Sequence, residues 1–254
     1  MFIRQERSIK EFMQFYPVVA WLIIIHLFLW FIIHFLQLPL GQQLFQWGIG
    51  HNLYIHQGEY WRLLTAIFLH SGMPHTLFNS FSLVLFGPAL EQMLGRMKFI
   101  IAYLGAGLIG NIATYALNPT AFYAHIGASG AIFGLFGLYM YMVMLRKDLI
   151  DETNAQIVVV ITIIALLMTF LRTHINIYAH IFGFLGGLIL APIVLKRAKP
   201  FSIWRNRRRH MHGGSIKFDP KRWQKRRLSQ QTKKNLFWLI LGILIIFGLI
   251  GKLL

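Results

Sequence analysis

The sequence of 254 residues contains no cysteine, which excludes disulfide bonds and thiolate chemistry. Charged residues are also scarce, because only 13% of the chain is Asp, Glu, Lys or Arg, whereas 56% is apolar. So few charged side chains cannot cover the surface of a soluble domain of this length. The composition is instead typical of a protein that crosses a membrane several times.

Long uncharged segments divide the chain. No Asp, Glu, Lys or Arg occurs in residues 12–58, 63–90, 99–145 or 173–195, and each segment is long enough to cross a bilayer. Together with the positions of turn residues, these segments predict an all-α polytopic helix bundle. Seven spans are predicted, at about residues 17–37, 74–90, 97–117, 127–146, 154–172, 174–195 and 235–254. The aromatic segment between the first two spans is too broken to cross and is expected in the membrane interface.

Positive charge is concentrated in one segment. The formal net charge is +17, and 15 of the 25 Lys and Arg residues lie between Lys196 and Lys234, with an apolar run on each side. This pattern predicts a cytoplasmic loop that contacts anionic lipid headgroups, and no nucleic acid partner is expected. A cytoplasmic amino terminus places 22 of the 25 basic residues inside, so this orientation is expected. The protein is expected in the plasma membrane, and because seven is an odd number of spans, its carboxyl terminus is expected outside.

The same reasoning predicts the organisation of the chain. The expected regions are a cytoplasmic N-terminal segment (1–16), a membrane core (17–195), a basic cytoplasmic loop (196–234) and a seventh transmembrane helix (235–254).

Four polar side chains stand out because polar groups are costly inside a bilayer. His75 and Asn79 begin the second span, Ser129 begins the fourth, and His180 lies a turn or two into the sixth. All three of these spans are predicted to run from outside to inside, so the four side chains share one depth near the outer face. Their convergence predicts a functional site there.

The chemistry of these residues favours acyl transfer. Ser129 lies within Gly127-Ala128-Ser129-Gly130, and Gly183 follows His180 by one turn. Small residues let membrane helices approach closely, as a serine nucleophile and an imidazole base require. The free N–H groups at the start of the Ser129 helix, with His75 and Asn79 on one face of the second helix, are predicted to stabilise an oxyanion.

A third catalytic group is not expected. Of the eight acidic residues, only Glu59 maps to the outer side, so the sequence predicts a Ser-His dyad, with Glu59 as a weaker orienting alternative. No metal or cofactor is expected, because the helical HExxH spacing is absent and a site built from His70 and His75 lacks nearby carboxylates. Taken alone, Ser129 is more typical of helix packing than of catalysis, and His180 fits a functional role and helix-helix hydrogen bonding equally well.

Four sequence blocks, in order, carry a resemblance to a known family. They are Trp61-Arg62 through His70 to Asn79, Glu91 with Gly95, Gly127 to Gly130, and Ala179-His180-Ile181-Phe182-Gly183 with Gly187. With these blocks the chain resembles the bacterial rhomboid proteases over roughly residues 17–195, which implies a six-helix core to which the seventh span is added.

The resemblance implies an activity. Rhomboid proteases cleave single-span membrane proteins near the outer membrane face through an acyl-enzyme, which here would form on Ser129 with His180 as the base. His75, Asn79 and the Ser129 amide would form the oxyanion hole, supported by Gly127, Gly130 and Gly183. Phe133 stands where the best-known members have a tyrosine that stacks on the catalytic histidine.

Two other functions remain open at this point. One is a rhomboid-like pseudoenzyme that binds membrane helices without cleavage, although both Ser129 and His180 are present. The other is a transporter or channel that uses the same polar recess.

Overall fold

The computed structural model describes residue 4, residues 6–171 and 175–205, and residue 235. The basic loop beyond residue 205 and the seventh span beyond residue 235 lie outside the described residues. The described part of residues 1–206 is one compact unit and is all-α apart from two strands of two residues each, as the sequence predicted.

The chain begins with a short helix and a long one. Helix α1 (Ile9–Phe15) is capped by the Ser8 side chain, and helix α2 (Pro17–Trp30) continues as a π-helical segment, Phe31–Phe35. Pro17 suits the first turn of α2 because it has no N–H to satisfy there. Two N–H groups of that turn, those of Val18 and Val19, donate to the Glu91 carboxylate at 3.0 and 2.9 Å.

A folded segment connects α2 to the next long helix. It comprises helix α3 (Pro39–Gly48), strand β1 (Gly50–His51), helix α4 (Asn52–His56) and helix α5 (Arg62–Thr65). Large apolar side chains of α3, such as Trp47, stay exposed, which fits the interfacial position predicted for this segment.

Arg62 ties this connecting segment together. Its guanidinium is buried, donates to the carbonyl oxygens of Gln46 and Ile49 at 2.6 and 2.9 Å, and pairs with Glu59 at 2.6 Å. Glu59, the weaker orienting alternative of the sequence analysis, is therefore engaged with Arg62.

Five long helices complete the described bundle. They are α6 (Met73–Leu94), α7 (Arg96–Leu117), α8 (Ser129–Leu145), α9 (Glu152–Leu171) and α10 (Ile177–Val194), with a 3-10 turn at Leu195–Arg197. Between α7 and α8, strand β2 (Ala124–His125) pairs antiparallel with β1.

These helices follow the six predicted spans of the core within a few residues. By length and composition, residues 17–35, α7, α9 and the segment 177–197 can each cross a membrane. Helix α8 is apolar but has 17 residues, and α6 has 22 residues but is more polar, since Asn79, Glu91 and Gln92 interrupt its apolar run. Helices α6 and α8, which do not meet this criterion, both carry predicted site residues in their first turns.

The centre of the bundle is formed by α7, α8 and α10, which meet through small residues. A Cβ added at Gly110 of α7 would lie 2.6 Å from the carbonyl oxygen of Ala179 in α10. The helix axes can approach this closely only where side chains are missing. Helix α9 is peripheral, and its Leu167, Phe170 and Leu171 are more than half exposed, as suits contact with lipid.

Candidate active site

Ser129 and His180 meet across the contact between α8 and α10. Ser129 is the first residue of α8, and His180 is the fourth residue of α10. The Ser129 Oγ lies 2.7 Å from the His180 Nε2, within hydrogen-bond distance. His180 is buried, whereas Ser129 is partly exposed.

Glycine backbones set the spacing of this pair. A Cβ on Gly183 would press on the carbonyl oxygen of Gly130, and one on Gly187 would press on the carbonyl oxygen of Gly134. Backbone atoms of α8 and α10 therefore touch directly at these glycines, with no side chain between them. Predicted supporting residues Gly130 and Gly183 thus lie at the crossing that brings Ser129 to His180.

Phe133 covers the imidazole from the α8 side. Its ring is stacked on the His180 ring, with centroids 4.2 Å apart and an interplanar angle of 21°. Phe133 lies one turn after Ser129, on the same face of α8. Phe133 thus stacks on His180 at the position where the resemblance implies a tyrosine, but without a hydroxyl.

His75 lies beside the turn that leads into Ser129. A Cβ at Gly127 would come within 2.7 Å of the His75 Nε2 and 3.8 Å of the Ser129 Oγ, and Gly127 has φ +126°. Only glycine is easily accommodated in this conformation and this space. The Gly127 N–H donates to the carbonyl oxygen of Ala66 at 2.9 Å, which fixes the turn.

Asn79 lies one helical turn after His75 in α6 and is buried. Its side-chain nitrogen donates to the carbonyl oxygen of His75 at 3.1 Å. Among the hydrogen bonds of the described residues, its amide is thus bonded to its own helix and not to Ser129.

The second imidazole nitrogen of His180 has a partner on α9. Its Nδ1 lies 2.9 Å from the Oγ1 of Thr169, and both side chains are buried. This contact extends the chain of hydrogen bonds from α8 through α10 to α9.

Comparison with known proteins decides the family. The Rhomboid domain model matches residues 57–197. YdcA of Bacillus subtilis (strain 168), named as a candidate rhomboid protease, is 44% identical over 200 residues, which cover 78% of this chain and 98% of YdcA. The chain belongs to the rhomboid family. This rhomboid is therefore a multi-pass membrane protein and an intramembrane serine protease.

Other rhomboid relatives match more than half of this chain. The rhomboid protease GluP of Bacillus subtilis is 39% identical over 150 residues, which are 59% of this chain and 29% of GluP. RHOMBOID-like protein 1 of Arabidopsis thaliana is 33% identical over 147 residues, which are 58% of this chain and 37% of that protein.

Sequence reasoning missed Thr169. Threonine is common in membrane helices, where its hydroxyl usually bonds its own backbone, so the residue alone gives no signal. A weak signal was available, because Thr162 and Thr169 are seven residues apart and lie on one face of α9. Polar residues repeated on one face of an apolar helix indicate the side that contacts protein.

The loop before α8 in this rhomboid is held by the pairing of β1 with β2. His125 is opposite Gly50, where an added Cβ would lie within 2.7 Å of three atoms of the His125 ring. Burial, with a smaller contribution from neighbouring His51, lowers the pKa of His125 to about 4. The His125 ring is therefore neutral at pH 7, and its protonation would oppose this pairing.

The remaining histidines near the site form ring contacts. The rings of His70 and His75 are 5.1 Å apart, and those of His26 and His70 are 4.8 Å apart. In the part of the chain that the structure describes, no group of three or more His, Cys, Asp or Glu side chains is arranged to hold a metal ion. The metal alternative for His70 and His75 thus gains no third ligand within that part.

Proposed function

We propose that this rhomboid cleaves single-span membrane proteins with Ser129 as nucleophile and His180 as general base. The observation that supports this most directly is the 2.7 Å hydrogen bond between the Ser129 Oγ and the His180 Nε2. A serine hydroxyl is a weak nucleophile until a base within this distance can take its proton.

The proposed reaction is a two-step acyl transfer. The Ser129 Oγ attacks the scissile carbonyl carbon while its proton moves to the His180 Nε2. The tetrahedral intermediate then collapses as the same proton passes to the leaving amine, which breaks the peptide bond and leaves the acyl group on Ser129. Water, deprotonated by His180, then attacks the ester carbonyl carbon. The bond to the Ser129 Oγ breaks, His180 returns the proton to Oγ, and the acyl group leaves as a carboxylic acid.

The oxyanion hole is proposed to comprise the Ser129 N–H, His75 and Asn79. The first N–H groups of α8 have no partner within the helix, and the helix dipole favours negative charge there. The Ser71 N–H faces the His75 Nδ1 at 3.5 Å, and the Ser71 Oγ lies 3.1 Å from the same atom. If Nδ1 accepts these bonds, the ring proton is on Nε2, the atom beside Gly127, where it can be donated to a developing oxyanion.

The site is proposed to lie near the outer membrane face. The Lys98 Nζ and Arg146 Nη1 donate to the carbonyl oxygens of Val194 and Leu195 at 3.3 and 3.0 Å, so basic residues at the start of α7 and directly after α8 gather at the end of α10. With basic residues on the cytoplasmic side, the amino terminus is inside and the carboxyl terminus outside. His180 is 14 residues before Val194, which places it about 20 Å from that end of α10.

The regions outside the core are assigned by the same topology. Residues 1–16 are a cytoplasmic segment, 17–195 the protease core, 196–234 a cytoplasmic loop and 235–254 a seventh span. The support for this assignment is the concentration of 15 basic residues in 196–234, which also favours contact of that loop with anionic lipid headgroups.

Cleavage of a reporter with one transmembrane helix, in reconstituted vesicles, tests the proposal. Ser129→Ala and His180→Ala are expected to lower cleavage by about 1,000-fold or more, because each removes a group that the reaction needs. Ser80→Ala is the matched control, since Ser80 is a helix serine of the same bundle whose buried hydroxyl has no hydrogen-bond partner among the described residues.

Two results would contradict the proposal. Cleavage that survives Ser129→Ala would show that another group is the nucleophile. A native chain that binds a panel of reporter helices but cuts none of them would favour the pseudoenzyme.

A further inference from the structure

The Thr169 hydroxyl has two contacts and one proton. Its Oγ1 lies 3.0 Å from the carbonyl oxygen of Ala165 and 2.9 Å from the His180 Nδ1. A carbonyl oxygen can only accept, so the hydroxyl proton lies between Thr169 and Ala165. The second contact must therefore be a hydrogen bond that the His180 ring donates from Nδ1.

This assignment fixes the tautomer of the base. A neutral imidazole carries one N–H, and if that proton is on Nδ1, the Nε2 has a free lone pair. The Nε2 is the atom that faces the Ser129 Oγ at 2.7 Å. The tautomer selected by Thr169 is thus the one in which His180 can take the serine proton.

The local structure of α9 holds the Thr169 hydroxyl in place. In a helix, threonine is stiff at χ1 and can bond the carbonyl oxygen four residues earlier, as Thr169 does with Ala165. Thr169 is also 1% exposed, and a hydrogen bond shielded from water is stronger than one in water. Both features keep the Oγ1 lone pair directed at His180.

We propose that Thr169 is the positioning residue of the catalytic base: it accepts the Nδ1–H of His180 and so holds the imidazole in the tautomer that can deprotonate Ser129. The proposal rests on the proposed function of Ser129 and His180. It assigns to a neutral hydroxyl the orienting role that a carboxylate has in a Ser-His-Asp triad. During acyl transfer the serine proton moves to Nε2 and back to the amine, while the Nδ1 proton remains in its bond to Thr169.

Three variants in reconstituted vesicles test this role. Thr169→Val keeps the shape of the side chain but removes the acceptor, and it is expected to lower kcat by about 10- to 100-fold with KM within about twofold. Thr169→Ser restores the hydroxyl and is expected to recover kcat to within about threefold of the native chain. Thr162→Val is the matched control, because Thr162 is equally buried on the same helix and its hydroxyl has no partner among the described residues.

The tautomer can also be measured without cleavage. In protein labelled with ¹⁵N-histidine, the His180 ring signals are assigned as those lost in His180→Gln. The native chain and Thr169→Ser are expected to show a protonated Nδ1 and a bare Nε2. Thr169→Val is expected to show a mixture of both tautomers.

The outcomes separate the two proposals. An unprotonated His180 Nδ1 in the native chain would overturn the proposed role of Thr169. Equal kcat values for Thr169→Val and Thr162→Val would overturn it as well. Cleavage that survives Ser129→Ala would instead overturn the proposed nucleophile, whereas the tautomer result for Thr169 would stand.

Discussion

Helices α8 and α9 are both apolar enough to be read as membrane spans, yet they differ in what surrounds them. Eleven of the 17 residues of α8 are buried, whereas only Val158, Thr162 and Thr169 are buried among the 20 residues of α9. Lipid is as apolar as the protein interior, so hydrophobicity does not distinguish the two helices. Small residues do, because α8 contains three glycines after Ser129 and α9 contains none.

The difference extends to how the two helices contribute to the site. The Ser129–His180 distance depends on backbone atoms of α8 and α10 that touch at Gly130 and Gly183. The bond from His180 to Thr169 depends on one side chain of a helix that mostly faces lipid. We therefore expect substitutions on α8 and its contacts to change stability and activity together, and substitutions on α9 to be tolerated except at Thr169.

Gly183→Ala should have the largest effect. Its new Cβ would press on the Gly130 carbonyl oxygen, a backbone atom that cannot move away cheaply. We expect a loss of about 3 kcal/mol in the free energy of unfolding, and about 100-fold less cleavage because the reacting groups are displaced. Gly105→Ala is the control, since its Cβ would meet only the end of the Leu190 side chain at 3.2 Å. If Gly183→Ala and Gly105→Ala lost equal stability and activity, the Gly183–Gly130 backbone contact would not be what sets the Ser129–His180 distance.

Acid should weaken the loop that leads into α8. The pKa of His125 is lowered to about 4 in the folded chain by burial first and His51 second, so between that value and about 6.5 the unfolded chain binds more protons. The contribution of His125 to the free energy of unfolding is therefore complete above about pH 6.5 and is lost as the pH falls toward its pKa in the folded chain. From pH 7 to pH 5 the free energy of unfolding should drop by about 2 kcal/mol through this residue.

The pH experiment uses His125→Phe, which keeps a flat ring without a titrating nitrogen. From pH 7 to pH 5 the free energy of unfolding of this variant should fall by about 2 kcal/mol less than that of the native chain. An unchanged dependence would mean that other groups cause it.

Phe133→Leu tests the stacking on His180. Loss of a ring pair with centroids 4.2 Å apart should lower the free energy of unfolding by about 1.5 kcal/mol and cleavage by about 3- to 10-fold. Phe133→Tyr keeps the stack and should cleave within about twofold of the native chain. If Phe133→Leu matches the native rate, the stack does not hold the imidazole.

Tyr139→Phe and Thr162→Val give the smallest effects and compare the two helices directly. The Tyr139 hydroxyl on α8 is buried and donates to the Phe86 carbonyl oxygen at 2.7 Å, so its removal should lower the free energy of unfolding by about 1 kcal/mol. The Thr162 hydroxyl on α9 has no partner among the described residues, and its replacement should change that free energy by less than about 0.5 kcal/mol. Chemical unfolding in mixed micelles measures both, and equal losses would contradict the contrast.

Much of the fold could be read from the sequence, because charges, prolines and glycines mark helix ends. Pro17 and Pro74 lie in the first turns of α2 and α6, at the predicted starts of the first two spans. Helix α6 extends to Leu94, beyond the predicted end near residue 90, because Glu91 is buried against the start of α2 and does not end the helix. A charged residue inside a span is thus a misleading boundary when it has a buried partner.

The site was predictable to the extent that its residues are unusual for their surroundings. Ser129, His75 and His180 are conspicuous in apolar runs, and the predicted orientation of the spans gave them one expected depth. Thr169 is an ordinary residue for a membrane helix, and its importance arises from a contact with α10 that no local pattern encodes. Glu59 was conspicuous as an acid on the outer side, but its charge is engaged by Arg62.

Glu91 of α6 accepts hydrogen bonds from two backbone N–H groups at the start of α2, so the exchange rates of these two amides depend on tertiary structure. The N–H groups of Val18 and Val19 donate to a residue more than 70 positions away, whereas the first N–H groups of most helices bond water or a nearby cap. Their exchange with deuterium is therefore slow only while α2 and the end of α6 stay together. Two amides at the start of α2 thus record the opening of this joint in the intact membrane protein.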